Sequence, residues 1–384
     1  MNAHPGGCAR EVQLQRDIVA SHEFSGNGPK TVLIIGGSTG YGLASRLTAA
    51  FGYDADTVSV SFEKEATEKR PATPGWYNSR AFDVMARKAG LESVSINADA
   101  FAHTTRERVA DIFRGKGKKV DLLIYSLASG VRPDPDTGIF YRSSLKPIGE
   151  VYTTRSVDFT AGTISQVSLE PATDEEIEST VKVMGGEDWK MWVDYLENQE
   201  LLGNHFKTVA FSYIGPEVTH PIYRSGTIGR AKTHLEKTAR DMNSRLSSTG
   251  GEAYVSINKA VVTRASAVIP AVPLYISLLF KVMKQKGLHE GCIEQMVRMF
   301  HHRLYTGGPV PVDSEQLIRM DDWEMREDVQ CEVDSRWNTV TESSLNELAD
   351  MEGFQEDFLR IHGFSVPGID YEQEVDFWDI PDII

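Results

Sequence analysis

The run Gly36-Gly37-Ser38-Thr39-Gly40-Tyr41-Gly42 constrains this chain more than any other stretch, because it joins the apolar segment Thr31-Val32-Leu33-Ile34-Ile35 to a helix-compatible run at 43–50. A buried strand that ends on closely spaced glycines and opens into a helix turns tightly and brings backbone N–H groups close to a pyrophosphate. The spacing is Gly-x-x-x-Gly-x-Gly, the short-chain reductase variant, rather than Gly-x-Gly-x-x-Gly. Glycine-rich turns also occur for steric reasons alone, so the flanking strand and helix are what make this one a dinucleotide site.

Strand patterns at 31–36, 57–62, 92–96 and 120–126 alternate with helical patterns starting at 43, 79 and 104. That alternation predicts an α/β fold with a Rossmann-like, doubly wound parallel sheet. Between 133 and 172 the chain turns to Pro, Gly and Thr-rich alternating stretches, which predict β-hairpins inserted over the ligand edge, within a cap of about 132–205. A helix is expected from Asp174, further strands at 208–213 and 253–257, a mainly helical stretch over 274–359, and an acidic aromatic tail over about 365–384.

Composition narrows the partners. A formal charge of −15 argues against nucleic acid or an anionic membrane, which reward clustered Lys and Arg. Cys8, Cys292 and Cys331 are widely spaced, as expected of reduced thiols in a cytoplasmic protein. The first residues carry no apolar leader pattern, and the longest apolar run, 265–280, is interrupted by Pro270 and Pro273. That run is expected to be buried or to line a cleft. There is no His-Glu-x-x-His or Cys-x-x-Cys, adjacent His301 and His302 would point to different sides of a helix, and no metal is expected.

Glu63 lies 21 residues past Gly42, at the end of the second strand. A carboxylate there accepts from an adenosine ribose hydroxyl and repels a 2′-phosphate, favouring NADH, although Lys64, Lys69 and Arg70 beside it leave NADPH tolerable. Asp99-Ala100 follows the third strand, where an adenine would lie. Ser126-Leu127-Ala128-Ser129 ends the fourth, where ligands approach open α/β sheets and small residues admit them.

A tyrosine can donate a proton to an oxygen that gains negative charge, with a nearby ammonium favouring its phenolate. No tyrosine has a lysine four or seven positions on; Tyr223–Lys232 and Tyr275–Lys284 have one nine positions on. Nine residues turn a continuous helix through two and a half turns, placing the ends on opposite faces. Tyr275–Lys284 lies in an unbroken helical run, whereas Ser225-Gly226-Thr227 and Gly229 interrupt the other. Tyr223 can therefore sit ahead of a helix from which Lys232 projects. Tyr213, at a strand end, either supplies a second hydroxyl or packs as an ordinary aromatic, and Val261-Val262-Thr263 follows another strand.

The chain resembles the FabV-type enoyl reductases, or trans-2-enoyl-CoA reductases, over nearly its whole length. The resemblance rests on Asn27-Gly28-Pro29-Lys30, the turn 36–42, Gly75-Trp76-Tyr77-Asn78-Ser79, Tyr125-Ser126-Leu127-Ala128-Ser129 and Met184-Gly185-Gly186-Glu187-Asp188-Trp189. Tyr223-x8-Lys232, Pro273-Leu274-Tyr275 and His289-Glu290-Gly291-Cys292-Ile293-Glu294-Gln295 complete it. It implies one enlarged NAD-binding reductase domain, monomeric and cytoplasmic, that reduces enoyl thioesters of coenzyme A or acyl carrier protein with NADH. It implies cofactor contacts from Gly36, Gly37, Ser38, Thr39, Gly40, Tyr41, Phe62, Glu63, Asp99, Ala100, Leu127, Ala128, Lys232, Val261, Val262 and Thr263. Tyr213 would bind substrate, and Tyr223 would donate the proton with Lys232 favouring its phenolate. The apolar run 265–280 is a candidate wall for an acyl channel, a plain core helix being the alternative. A short-chain carbonyl reductase and a non-catalytic NADH-responsive regulator are the alternatives.

Overall fold

The computed structural model describes residues 2–24, 27–159, 161–264, 266, 269 and 271–378. Helix α1 (Pro5–Ala20) leads into β1 (Thr31–Ile35), α2 (Gly40–Tyr53), β2 (Asp56–Ser61), α3 (Pro74–Lys88), β3 (Ser93–Asn97), α4 (His103–Lys116) and β4 (Val120–Tyr125). Two hairpins follow, β5 (Val131–Pro133) with β6 (Phe140–Arg142) and β7 (Tyr152–Asp158) with β8 (Thr163–Leu169), then α5 (Asp174–Met184) and α6 (Glu187–Asn198). The chain returns through β9 (Leu202–Ser212), α7 (His220–Tyr223), α8 (Thr227–Leu246) and β10 (Glu252–Ile257). It closes with α9 (Val272–Gln285), α10 (Cys292–Met299), β11 (Leu317–Arg319), α11 (Glu327–Thr339), α12 (Leu345–Leu348) and α13 (Met351–Ile361).

Seven strands form one parallel sheet in the order β3-β2-β1-β4-β9-β10-β11. Alternate residues of β1 face opposite sides. Val32 and Ile34 pack under α1, α2, α3 and α10, while Leu33 and Ile35 pack under α4, α6 and α8. The order reverses between β1 and β4, the place where open α/β sheets bind ligands beyond their carboxyl ends. A third cluster, centred on α9 with α11, α13 and the β7–β8 hairpin, includes Tyr213 and Tyr223.

Several elements differ from expectation. Helix α1 occupies a glycine-rich start because Pro5 sits in its first turn and His4 caps it, its Nδ1 accepting from Gly7 N at 3.0 Å. Helix α3 begins at Pro74, again with proline in its first turn. Strand β9 starts six residues earlier than its apolar pattern, and β11 arises inside a stretch expected to be helical, pairing with the edge of β10. His301 and His302 do not diverge: they lie in a π-helical turn, Phe300–Leu304, that brings their rings to 4.5 Å. Among the described residues no helix is long and apolar enough to cross a membrane.

Candidate active site

The turn 36–42 is closed by its own backbone. Gly36 has φ +87°, a conformation glycine adopts freely, and an added Cβ would stand 2.4 Å from Ser126 O. A Cβ on Gly42 would stand 2.0 Å from Gly36 O, so α2 can start this close to β1 only without a side chain. Gly40 opens onto free space, and Thr39 makes no side-chain capping bond. The first N–H groups of α2 are thus left for an anion, and the turn fits a pyrophosphate. Residues 36–40 also spell Gly-x-Ser-x-Gly, but Ser38 is buried and donates to Glu63 Oε1 at 2.7 Å, not to a histidine, so it is no nucleophile elbow.

Glu63 is held in place at the end of β2. Its Oε2 accepts from Thr73 Oγ1 at 2.5 Å, its N–H donates to Asn97 Oδ1 at 2.8 Å, and Asn97 Nδ2 donates back to Glu63 O at 3.0 Å. Asn78 Nδ2 donates to Ser38 O at 3.0 Å, so α3 braces the turn. Phe62 beside it is 78% exposed, an open aromatic face. Asp99 spends its carboxylate on its own turn, accepting from Phe101 N at 2.9 Å, and Ala100 is buried next to it. Leu127 and exposed Ala128 follow β4, where Ser126 N donates to Ile35 O at 2.8 Å and ties the two strand ends together.

Across the sheet edge, Tyr213 leaves β9 and Tyr223 ends α7, one short turn before α8 begins. Their rings meet edge to face, centroids 4.9 Å apart at 87°. Lys232 rises from α8, its Nζ donating to Phe211 O at 3.2 Å. The break at 224–226 therefore lets Tyr223 stand ahead of the helix that carries Lys232. Val261 and Val262 are buried after β10, and Thr263 N donates to Ser266 Oγ at 2.8 Å. Tyr41 spans the two ends: its hydroxyl donates to Lys259 O at 2.6 Å, two residues before Val261.

The electrostatics depart from expectation at Tyr223. Burial raises its pKa, with no opposing contribution from Lys232, and burial draws Lys232 down to about 8. Both groups are pushed towards neutrality, so Tyr223 is kept protonated rather than poised as a phenolate. Tyr275 and Lys284 do part company: Tyr275 donates to Glu324 Oε1 at 2.7 Å and Lys284 Nζ to Asp350 Oδ2 at 2.6 Å. Glu324 is the residue that sequence reasoning missed. It belongs to no motif, and no spacing links it to Tyr213, whose hydroxyl donates to its Oε1 at 3.0 Å. Among the described residues no group of three or more His, Cys, Asp or Glu is placed to hold a metal.

The chain matches three family models: the trans-2-enoyl-CoA reductase catalytic region over residues 70–305, the NAD(P)H binding domain of trans-2-enoyl-CoA reductase over 1–68, and an enoyl reductase FAD binding domain over 312–375. It is 53% identical to an enoyl-[acyl-carrier-protein] reductase [NADH] of Flavobacterium johnsoniae, over 97% of this chain and 94% of that one. It is 54% identical to a trans-2-enoyl-CoA reductase [NADH] of Brachyspira hyodysenteriae, over 98% and 96%. Among solved structures it superposes on the Treponema denticola trans-2-enoyl-CoA reductase in complex with NAD with a TM-score of 0.94 at 50% identity, covering 98% of this chain and 95% of that one. It also superposes on the Clostridium acetobutylicum trans-2-enoyl-CoA reductase in complex with NADH with a TM-score of 0.95 at 43% identity, covering 98% and 95%. Within 312–375, the link from β11 to α11 is Met320-Asp321-Asp322-Trp323-Glu324-Met325-Arg326, acidic and without glycine, which does not suit the phosphates of a flavin nucleotide.

Proposed function

The chain belongs to the trans-2-enoyl-CoA reductase family, and from that premise we propose that it reduces the trans-2 double bond of enoyl thioesters with NADH. The observation that carries this reading is the contact of Tyr213 with Tyr223, 4.9 Å between ring centroids, on the sheet edge that also bears the glycine turn. NADH, when bound, supplies the hydride that reaches the β carbon.

Negative charge then grows on the thioester oxygen. Tyr223 passes its proton to that oxygen, and the enol so formed tautomerises, placing a proton on the α carbon and restoring the thioester carbonyl, while the phenolate left behind regains a proton from solvent. Burial holds the phenol protonated, which suits a donor. A donor already aimed at a developing oxyanion is worth ~3 to 4 kcal/mol. Tyr213 binds the substrate beside it, and Lys232 holds the nicotinamide ribose. Residues 36–41 hold the pyrophosphate and Glu63 the adenosine ribose, while Phe62, Asp99 and Ala100 flank the adenine. Leu127, Ala128 and residues 261–263 line the path to the nicotinamide.

The apolar face of α9 is our candidate for the acyl wall. Ile276 is fully buried there, and residues 265, 267, 268 and 270 of that run lie outside the described residues. The reading carries with it a cytoplasmic monomer, a cap formed by the β5–β6 and β7–β8 hairpins rather than by all of 132–205, since α6 and the start of β9 belong to the sheet layers, an acidic tail from about 365, and a carrier that is either coenzyme A or acyl carrier protein. The test is spectrophotometric. NADH consumption with crotonyl-CoA and none with a simple ketone is the expected result; the reverse pattern supports a carbonyl reductase, and binding without turnover supports a regulator.

A further inference from the structure

Glu324 lies between β11 and α11, far in sequence from the tyrosines, yet its carboxyl group is where the reactive end converges. Oε1 accepts from Tyr213 at 3.0 Å and from Tyr275 at 2.7 Å, and Oε2 accepts from Ala260 N at 2.7 Å. The side chain has no exposed surface. Gln330 of α11 braces the arrangement, its Nε2 donating to Glu324 O at 2.7 Å and to the Tyr275 hydroxyl at 3.2 Å. A carboxyl group shut off from water must find its partners within the protein, and this one has three.

Its two oxygens are not equivalent. The Ala260 N–H can only donate, so Oε2 stays an acceptor in either charge state. A proton on the carboxyl group therefore resides on Oε1, facing the two phenols. Each phenol has a single hydrogen. While Glu324 is ionised, Tyr213 directs its hydrogen at Oε1 and offers only lone pairs elsewhere. Once Glu324 is neutral, Oε1 donates towards a phenol, and the Tyr213 hydrogen is free to turn to a substrate oxygen. Tyr213 is only partly buried and touches Tyr223, so it is placed to do so.

The titratable and charged groups around this carboxyl group are Tyr213, Tyr275, Tyr41 of α2, Asp321 of its own loop, and Lys259, whose buried Nζ donates to Ala260 O at 2.8 Å. Burial raises the pKa of Glu324; Lys259, Tyr275 and Ala260 N oppose the rise and Asp321 adds to it. The neutral form is thus populated above the usual carboxylate range.

We infer that Glu324 is a positioning residue for the reaction, its charge state deciding whether Tyr213 presents a hydrogen or a lone pair to the substrate oxygen. This rests on the thioester-reductase reading. At saturating NADH with crotonyl-CoA, wild-type kcat falls about tenfold as pH rises through the Glu324 titration, the worth of one hydrogen bond to a charged group. Tyr213→Phe abolishes that limb. Glu324→Gln, whose amide oxygen accepts from Ala260 N while its NH2 group donates to the phenols as the neutral acid does, holds kcat near the wild-type low-pH level at every pH, leaves the KM for NADH within about twofold, and changes nothing in the Tyr213→Phe background. A pH limb that survives in Glu324→Gln or in Tyr213→Phe overturns the inference, as does a flat wild-type profile. If Glu324→Gln fails to fold, as thermal unfolding would reveal, the Tyr213→Phe profile decides alone. Absence of wild-type turnover is a distinct outcome: it sinks the reductase reading and this inference with it.

Discussion

The glycine turn and the tyrosine pair share one sheet edge but are held by different means. At the turn, backbone closes on backbone: Gly42 abuts Gly36 O, and Gly36 abuts Ser126 O. At the tyrosines, side chains from four distant elements converge, and the Tyr213–Glu324 bond spans 111 residues. The difference follows from the chemistry. A pyrophosphate is met by N–H groups that any residue carries, so its site is a matter of local backbone shape. A proton must come from a particular side chain at a particular place, so its site is assembled by the tertiary fold.

The comparison can be tested by damaging each end. Gly42→Ala should be the most severe for the cofactor, because a Cβ 2.0 Å from a backbone oxygen cannot be relieved by a rotamer. NADH affinity should fall by about 100-fold or more in a fluorescence titration, with a lowered melting temperature. Near-normal NADH binding in this variant would mean that the turn does not set the cofactor site.

A pH series separates the ends more gently. Burial draws Lys232 down to about 8, so its charge is lost as pH rises through that value. Its folded pKa lies below the ordinary 10.5, so the unfolded chain binds more protons across about pH 8–10.5. Stability of the free protein from this group should therefore rise in that window. The kcat/KM for NADH should move the other way, falling about tenfold per pH unit above 8, and Lys232→Met should lose the dependence. A profile unchanged by that substitution would detach Lys232 from the cofactor.

The smallest effect belongs to Glu63→Gln. The amide keeps an acceptor for Ser38 or Thr73 but loses the charge that repels a 2′-phosphate, so NADH affinity should fall by about three- to tenfold and the preference over NADPH should narrow. An unaltered cofactor ratio would assign the preference elsewhere.

Legibility in the sequence follows the same division. The strand-turn-helix at 31–50 and the parallel sheet could be read from local periodicity, and Glu63 from its distance to the glycines. Tyr223 and Lys232 were legible because a helix break between them is itself a local signal. The charge relation expected of that pair was not, since burial of both groups depends on α8, α9 and the sheet packing around them. Helix α1 was hidden by its glycines, and β11 by the helical pattern on either side. Glu324 had no local signature, its role being set by the fold that carries α11 back to the tyrosines.

In the proposed reaction Tyr223 gives the proton and takes no part in holding NADH. The direct test is Tyr223→Phe, with turnover of crotonyl-CoA and NADH affinity measured on one preparation. The kcat should fall by roughly 10² to 10³, with a dissociation constant for NADH unchanged within about twofold. Turnover at the wild-type level, or a loss of NADH binding as large as the loss of turnover, would contradict this role for Tyr223.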